Sequence, residues 1–356
     1  MINRNNFTYE EELNNCNFVK LMLMLLVTLY HSSVFWGEKW LDLKPIYSSP
    51  ILCIFSRWLN SFHIYAFVLV SGYIFYYLKY EKKKYANLSG FIANKIKRLI
   101  IPYYTVAIFW VIPINIIIYK GLDLGMIIRS LVGGASQLWF LWMLFWVYII
   151  AWFISDYFYK HNIKSILLVC CFYIVYALCL GKIPNVFQVL NVLLYIPLFL
   201  VGFKIRQYSS KFVFKIPVLG WLFIQITLFS IFEKVSAFNG DVEIIKTILK
   251  LPLHIVGAIM IFVFLQKLAI RIKWKDNNIL KYMSNRSMTI YLFHQQFIYF
   301  TIYMLNGRVN PYINMVVNFV IAIGGSLILT NLIFKNNMSK KLIGEKESIS
   351  ILEKNI

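Results

Sequence analysis

The sequence predicts an all-α fold: a polytopic integral-membrane bundle of about ten transmembrane helices, with both termini cytoplasmic. Three observations carry this reading. The 356 residues are 60% hydrophobic and 18% aromatic with only 14% charged, outside the range of soluble domains. Apolar stretches of about 20 residues, enough to cross roughly 30 Å of hydrocarbon at 1.5 Å per residue, recur along the chain. With the N-terminus inside, 25 Lys and Arg fall in the inner segments and 8 in the outer loops, the bias that orients helical membrane proteins.

The predicted spans, in order, are Phe18 to Trp36, Trp58 to Leu78, Leu99 to Tyr119, Leu138 to Ile154, Ile166 to Leu180, Val186 to Phe203, Val218 to Phe232, Ile244 to Leu265, Met288 to Leu305 and Tyr312 to Phe334. The first is kept as a span, because Glu10, Glu11 and Glu12 precede it and no small-residue cleavage site follows. The fifth and seventh are short, which suits tilted or partly re-entrant helices. Pro102, Pro113, Pro197 and Pro252 fall inside spans. Each removes a backbone donor and permits a kink, which makes room for a cavity. The chain divides into a cytoplasmic N-terminal segment (1–16), a transmembrane domain (17–334) and a cytoplasmic tail (335–356).

The net charge of +21 is explained by basic inner loops facing anionic lipid heads, so the bilayer is a partner and nucleic acid is not. The five cysteines form no CxxC and no Cys/His metal spacing, so no metal is expected.

Ionisable groups inside spans are expensive in hydrocarbon and mark where chemistry is to be sought. Every Asp and Glu lies in a loop or at a span edge, Asp156 and Glu233 being nearest to membrane depth. The first span carries Lys20 and His31. Eleven steps of 100° exceed three full turns by only about 20°, so the two share one stripe, about 16.5 Å apart along the axis. A cation at the inner mouth and an imidazole deeper on the same face suit an anionic cofactor entering from the cytoplasm. A snorkelling lysine and a histidine bonded to a neighbouring helix account for the same pair.

His63, Ser71 and Tyr73 follow in the second span, with His63 at a depth similar to His31. Ser71 and Gly72 also suit close helix approach. Lys95 and Arg98, one helical turn apart before Pro102 and flanking Lys97, can hold phosphates or anchor the topology. His294 is placed in the inner half of the ninth span and His254 in the outer half of the eighth.

Taken together, these residues resemble acyltransferase family 3, the ten-helix bacterial O-acyltransferases of cell-surface polysaccharides. The resemblance runs from Asn17 to about Phe334. It rests on NFVKLMLMLLVTLYH, FVLVSGY, KIKRLIIPYY, LWFLWML, FLVGF and IYLFH. Lys20 and Lys95 stand where the family usually has Arg, keeping charge without the bidentate fork, and Asn17 stands where many members carry Asp.

The resemblance implies an acyl-CoA, most often acetyl-CoA, as donor substrate with no tightly bound cofactor. Its phosphates would dock at Lys20, Lys95 and Arg98, with its thioester near His31. As general base or nucleophile, His31 would carry the chemistry, oriented by Ser71, Tyr73 or His63, with His294 as a further supporting residue of the cavity. The acceptor implied is a sugar hydroxyl of a surface glycan or its lipid-linked precursor, and the site of action the cytoplasmic membrane; a homo-oligomer is compatible with this reading. A transporter, flippase or polymerase for lipid-linked glycans is the alternative, motivated by the ten spans, the kinking prolines and an aromatic content of 30 Phe, 24 Tyr and 10 Trp.

Overall fold

All ten predicted stretches fall on helices, and no strand occurs among the described residues. The computed structural model describes residues 9–37, 40, 43–85, 87–119, 121, 123–208, 211–238, 240 and 242–345. Arg4 and the last part of the tail, including Lys346 and Lys354, lie outside them.

The helices are α1 (Tyr9–Ser33), α2 (Pro50–Asn60), α3 (His63–Tyr76), α4 (Leu88–Lys95), α5 (Ile101–Val106), α6 (Ile112–Ile118), α7 (Leu124–Arg129), α8 (Trp139–Lys160) and α9 (Ile163–Cys179). They continue with α10 (Val189–Gln207), α11 (Lys211–Lys215), α12 (Val218–Ser236), α13 (Glu243–Arg271), α14 (Asn278–Ser284), α15 (Ser287–Leu305), α16 (Pro311–Ile333) and α17 (Asn337–Leu342). Among the described residues, eight helical stretches are long and apolar enough to cross a membrane. The two predicted spans outside that set differ from it for separate reasons. Helix α9 is apolar but has only 17 residues. Helix α15 has 19 residues but carries Thr289, Tyr291, His294, Gln295, Gln296, Tyr299 and Thr301, all buried. Polar side chains at that density turn toward neighbouring helices and away from lipid.

Helix α1 is the hub, touching α3, α13, α15 and α16. The tightest crossing is α3 on α10. A Cβ at Gly72 would lie 1.9 Å from the Phe199 carbonyl oxygen, and one at Gly202 would lie 1.9 Å from that of Leu69. The second-span glycine therefore serves backbone contact, the small-residue packing that brings membrane helices together.

Two of the prolines sit beside π-helical turns. Ile96–Ile100 precedes Pro102 and Ala107–Val111 precedes Pro113. In each case the widened turn contains the carbonyl four residues before the proline, that of Arg98 or Phe109, which the pyrrolidine ring would otherwise strike. The carboxylates closest to membrane depth are paired: Asp156 with Lys79 at 3.2 Å and Glu233 with Arg57 at 2.6 Å.

Candidate active site

On α1, Asn17, Lys20, Met24 and Val27 line one cavity of about 840 Å³. Their spacing of three, four and three residues is the stripe of a single helix face, and His31 extends it by one further turn. Lys20 thus faces an internal space within the bundle.

The lower part of this cavity is cationic. Lys20, Lys95, Arg98, Arg286 and Lys340 line it against a single lining carboxylate, Glu345. Burial raises the Glu345 carboxyl above its usual range, and Arg98 and Arg286 pull it part of the way back. Lys95 is only 8% exposed. Its ammonium lies 3.3 Å from the centroid of the Tyr148 ring, with the Phe91 and Tyr85 rings at 5.2 and 5.4 Å, and cation–π contact of this kind offsets part of a buried charge's desolvation. Among the described residues no carboxylate forms an ion pair with Lys20, Lys95 or Arg98.

Arg286 and Lys340 were not among the residues singled out from the sequence. Arg286 precedes α15 and stacks 3.7 Å over Tyr282; Lys340 sits on α17, which packs against α5 beneath the bundle. Upward, the lining becomes apolar and aromatic through Ile64, Phe67, Phe140, Leu141 and Tyr291. Its upper residues, Val27 and Tyr291, lie about one turn below His31 and His294, roughly 6 and 4.5 Å along their helix axes.

There the two histidines meet. His31 Nδ1 is 2.7 Å from His294 Nε2, with their ring planes 20° apart. His294 therefore stands at the depth of His31, higher in the bundle than its place in the ninth span suggested. The hydrogen-bond network assigns both tautomers. His294 Nδ1 faces the carbonyl oxygens of Tyr291 at 2.8 Å and Ile290 at 3.1 Å. A carbonyl only accepts, so Nδ1 carries the proton and Nε2 offers its lone pair. His31 must then donate from Nδ1, which leaves His31 Nε2 as an unprotonated base. Trp40 stacks on His31 at 5.6 Å and Tyr30 lies at 5.0 Å, so the imidazole is enclosed by rings.

The other sequence candidates lie around this pair. His63 stacks on Tyr30 at 4.6 Å and donates from Nδ1 to the Leu59 carbonyl at 2.7 Å, which places it one ring away from His31. Ser71 lines the cavity and donates to the Phe67 carbonyl at 2.9 Å. Tyr73 Oη accepts from Arg206 at 3.0 Å, and Arg206 grips Glu81 through two hydrogen bonds of 2.8 and 2.9 Å. Tyr73 belongs to that half-buried ion-pair network. The partner that orients His31 is His294, and none of these three takes that place. His254 donates to the Ser61 carbonyl at 2.8 Å under Tyr65. Among the described residues no cluster of His, Cys, Asp or Glu is arranged to hold a metal ion.

A family model described as an acyltransferase domain matches residues 13–335 of the chain. No curated protein and no solved structure matches it.

Proposed function

We propose, from the premise that this chain belongs to acyltransferase family 3, that it moves an acetyl group from cytoplasmic acetyl-CoA to a sugar hydroxyl of a surface glycan or its lipid-linked precursor. The chain is a membrane acyltransferase. The observation that carries the proposal is the hydrogen-bonded His31–His294 pair one turn above a cavity lined by five cations.

The charges favour a donor bearing several phosphates, which Lys20, Lys95, Arg98, Arg286 and Lys340 hold at the inner mouth. The positive-inside bias supports a cytoplasmic position for that mouth and for both termini, and the membrane proposed is the cytoplasmic one. The pantetheine arm then follows the apolar lining toward His31. CoA is bound as a substrate, and no resident cofactor is required.

His31 Nε2 takes the proton from the acceptor hydroxyl as its oxygen bonds to the acyl carbon. The carbon–sulfur bond breaks, and the imidazolium returns its proton to the departing thiolate of CoA. During the step His31 is cationic, and its Nδ1–H keeps donating to His294 Nε2, which opposes the developing charge without taking the proton.

The test is the base-labile ester content of glycan from cells producing His31→Ala. Ester falls to background while the protein level stays normal; undiminished ester would remove His31 from the chemistry.

A further inference from the structure

A second cavity, of about 600 Å³, lies on the far side of the histidine pair. Its place follows from α15 alone. Ser287, Met288 and Tyr291 line the cationic cavity, Tyr299 lines the second one, and His294 stands between them. Tyr291 and Tyr299 are eight residues apart, about 12 Å along the axis. Tyr299 also touches Trp40 edge to face at 5.1 Å, and Trp40 stacks on His31.

The two cavities differ in charge. The second is lined by amides and hydroxyls, including Asn115, Asn185, Gln188, Ser130 and Ser136, and its charged residues, Asp123 and Arg129, pair with each other at 3.2 Å. Such a lining offers donors and acceptors in both senses with its charges already compensated. It suits a neutral, hydroxyl-rich molecule and gives a multiply charged phosphate no counter-ion.

The cavity is built by strained backbone and carries an unmet polar atom. Ser136 has φ +45°, Phe187 +51°, Gln188 +60° and Gly133 +102°. Non-glycine residues held at such angles cost about 1–3 kcal/mol each and persist where surrounding structure enforces them. The enforcement is visible. Gln188 Nε2 donates to the Gly133 carbonyl at 2.9 Å, Asn191 Nδ2 to Gln188 Oε1 at 2.7 Å, and the Ala135 N–H to Tyr103 Oη at 3.2 Å. Ser136 Oγ and Tyr299 Oη are 3.1 Å apart. Asn115 is 8% exposed and lines the cavity, and its buried Oδ1 has no hydrogen-bond partner. A buried acceptor left without a donor costs about 1–3 kcal/mol.

We infer that this cavity is the acceptor site, that it takes a neutral sugar ring, and that Asn115 Oδ1 accepts from one of its hydroxyls while Ser136 and Tyr299 bind another beside His31. The inference rests on the acetyl-transfer reading above. A sugar seated here has its reacting hydroxyl on the side of His31 opposite the cationic cavity, so donor and acceptor meet at the imidazole without sharing a pocket.

The test uses Asn115→Leu combined with Ser136→Ala, read out as glycan ester in cells and as acetyl-CoA binding by the purified protein. Ester content falls at least 10-fold, with acetyl-CoA affinity within 2-fold of wild type. Undiminished ester would overturn the assignment. So would a joint loss of ester and acetyl-CoA binding, because the two cavities would then not be separate sites. Wild-type cells whose glycan carries no such ester would instead defeat the acetyl-transfer reading, which keeps the two failures apart.

Discussion

At the scale of single residues, the histidine pair decides which His31 nitrogen is left without a proton. The Lys20–His31 stripe was legible in the sequence because eleven residues return a helix to nearly the same face. The partner of His31 was not, since His294 is 263 positions away and periodicity within one helix says nothing about which helices touch. Ser71, Tyr73 and His63 were nearer in sequence, yet each is engaged elsewhere by the Phe67 carbonyl, Arg206 and the Leu59 carbonyl. In the proposed reaction His294 acts through His31, as a positioning residue. Its replacement His294→Leu removes the acceptor for the His31 Nδ1–H and frees the tautomer. A fall in kcat of about 10²- to 10³-fold, the scale of general-base catalysis, is expected with the acetyl-CoA KM unchanged. His294→Gln offers a side-chain carbonyl in the same direction and recovers part of the rate. Steady-state kinetics of both variants checks this. Equal losses in the two would reduce His294 to a packing role.

At the scale of elements, α15 was legible as the span Met288 to Leu305 although many of its positions are polar. Its buried histidine, glutamines, threonines and tyrosines lower its apolar character, and the same residues build the floor between the two cavities. Gln137 secures this floor, donating to the Leu292 carbonyl at 2.8 Å and accepting at its own carbonyl from Tyr291 Oη at 2.5 Å. Arg286 at the entrance of α15 carried only one signal in the sequence, a cation just before a span, which reads equally as a topology anchor. The α3–α10 crossing was legible in part: Ser71 and Gly72 suggested close approach, but the reciprocal Gly202 could be matched to Gly72 only in three dimensions. Because a Cβ at Gly72 meets a backbone oxygen with no room to move, Gly72→Ala forces the helices apart. Overpacking costs typically about 1–3 kcal/mol, and a lower midpoint of thermal unfolding in detergent than for Ser71→Ala is the expected outcome. An unchanged midpoint would mean that the crossing has slack.

At the scale of the whole molecule, charge asymmetry divides the bundle into a cationic cavity below the histidines and a charge-compensated one above them. Composition and loop charges made the membrane class and helix order readable, because bilayer thickness and lipid charge act on every segment alike. The cavities were not readable, since they are assembled from side chains of many helices and from the strained turns at Ser136, Phe187 and Gln188. In the proposed reaction the cationic cavity delivers a thioester to His31. The most direct test of that delivery is the structure of the protein bound to a non-transferable acetyl-CoA analogue. Phosphates bonded to Lys20, Arg98 and Arg286 are expected, with the acyl carbonyl carbon at about the 3.5 Å of a near-attack geometry from the acceptor position beside His31 Nε2. An analogue whose phosphates lie outside the cationic cavity, or whose acyl end points away from His31, would contradict it.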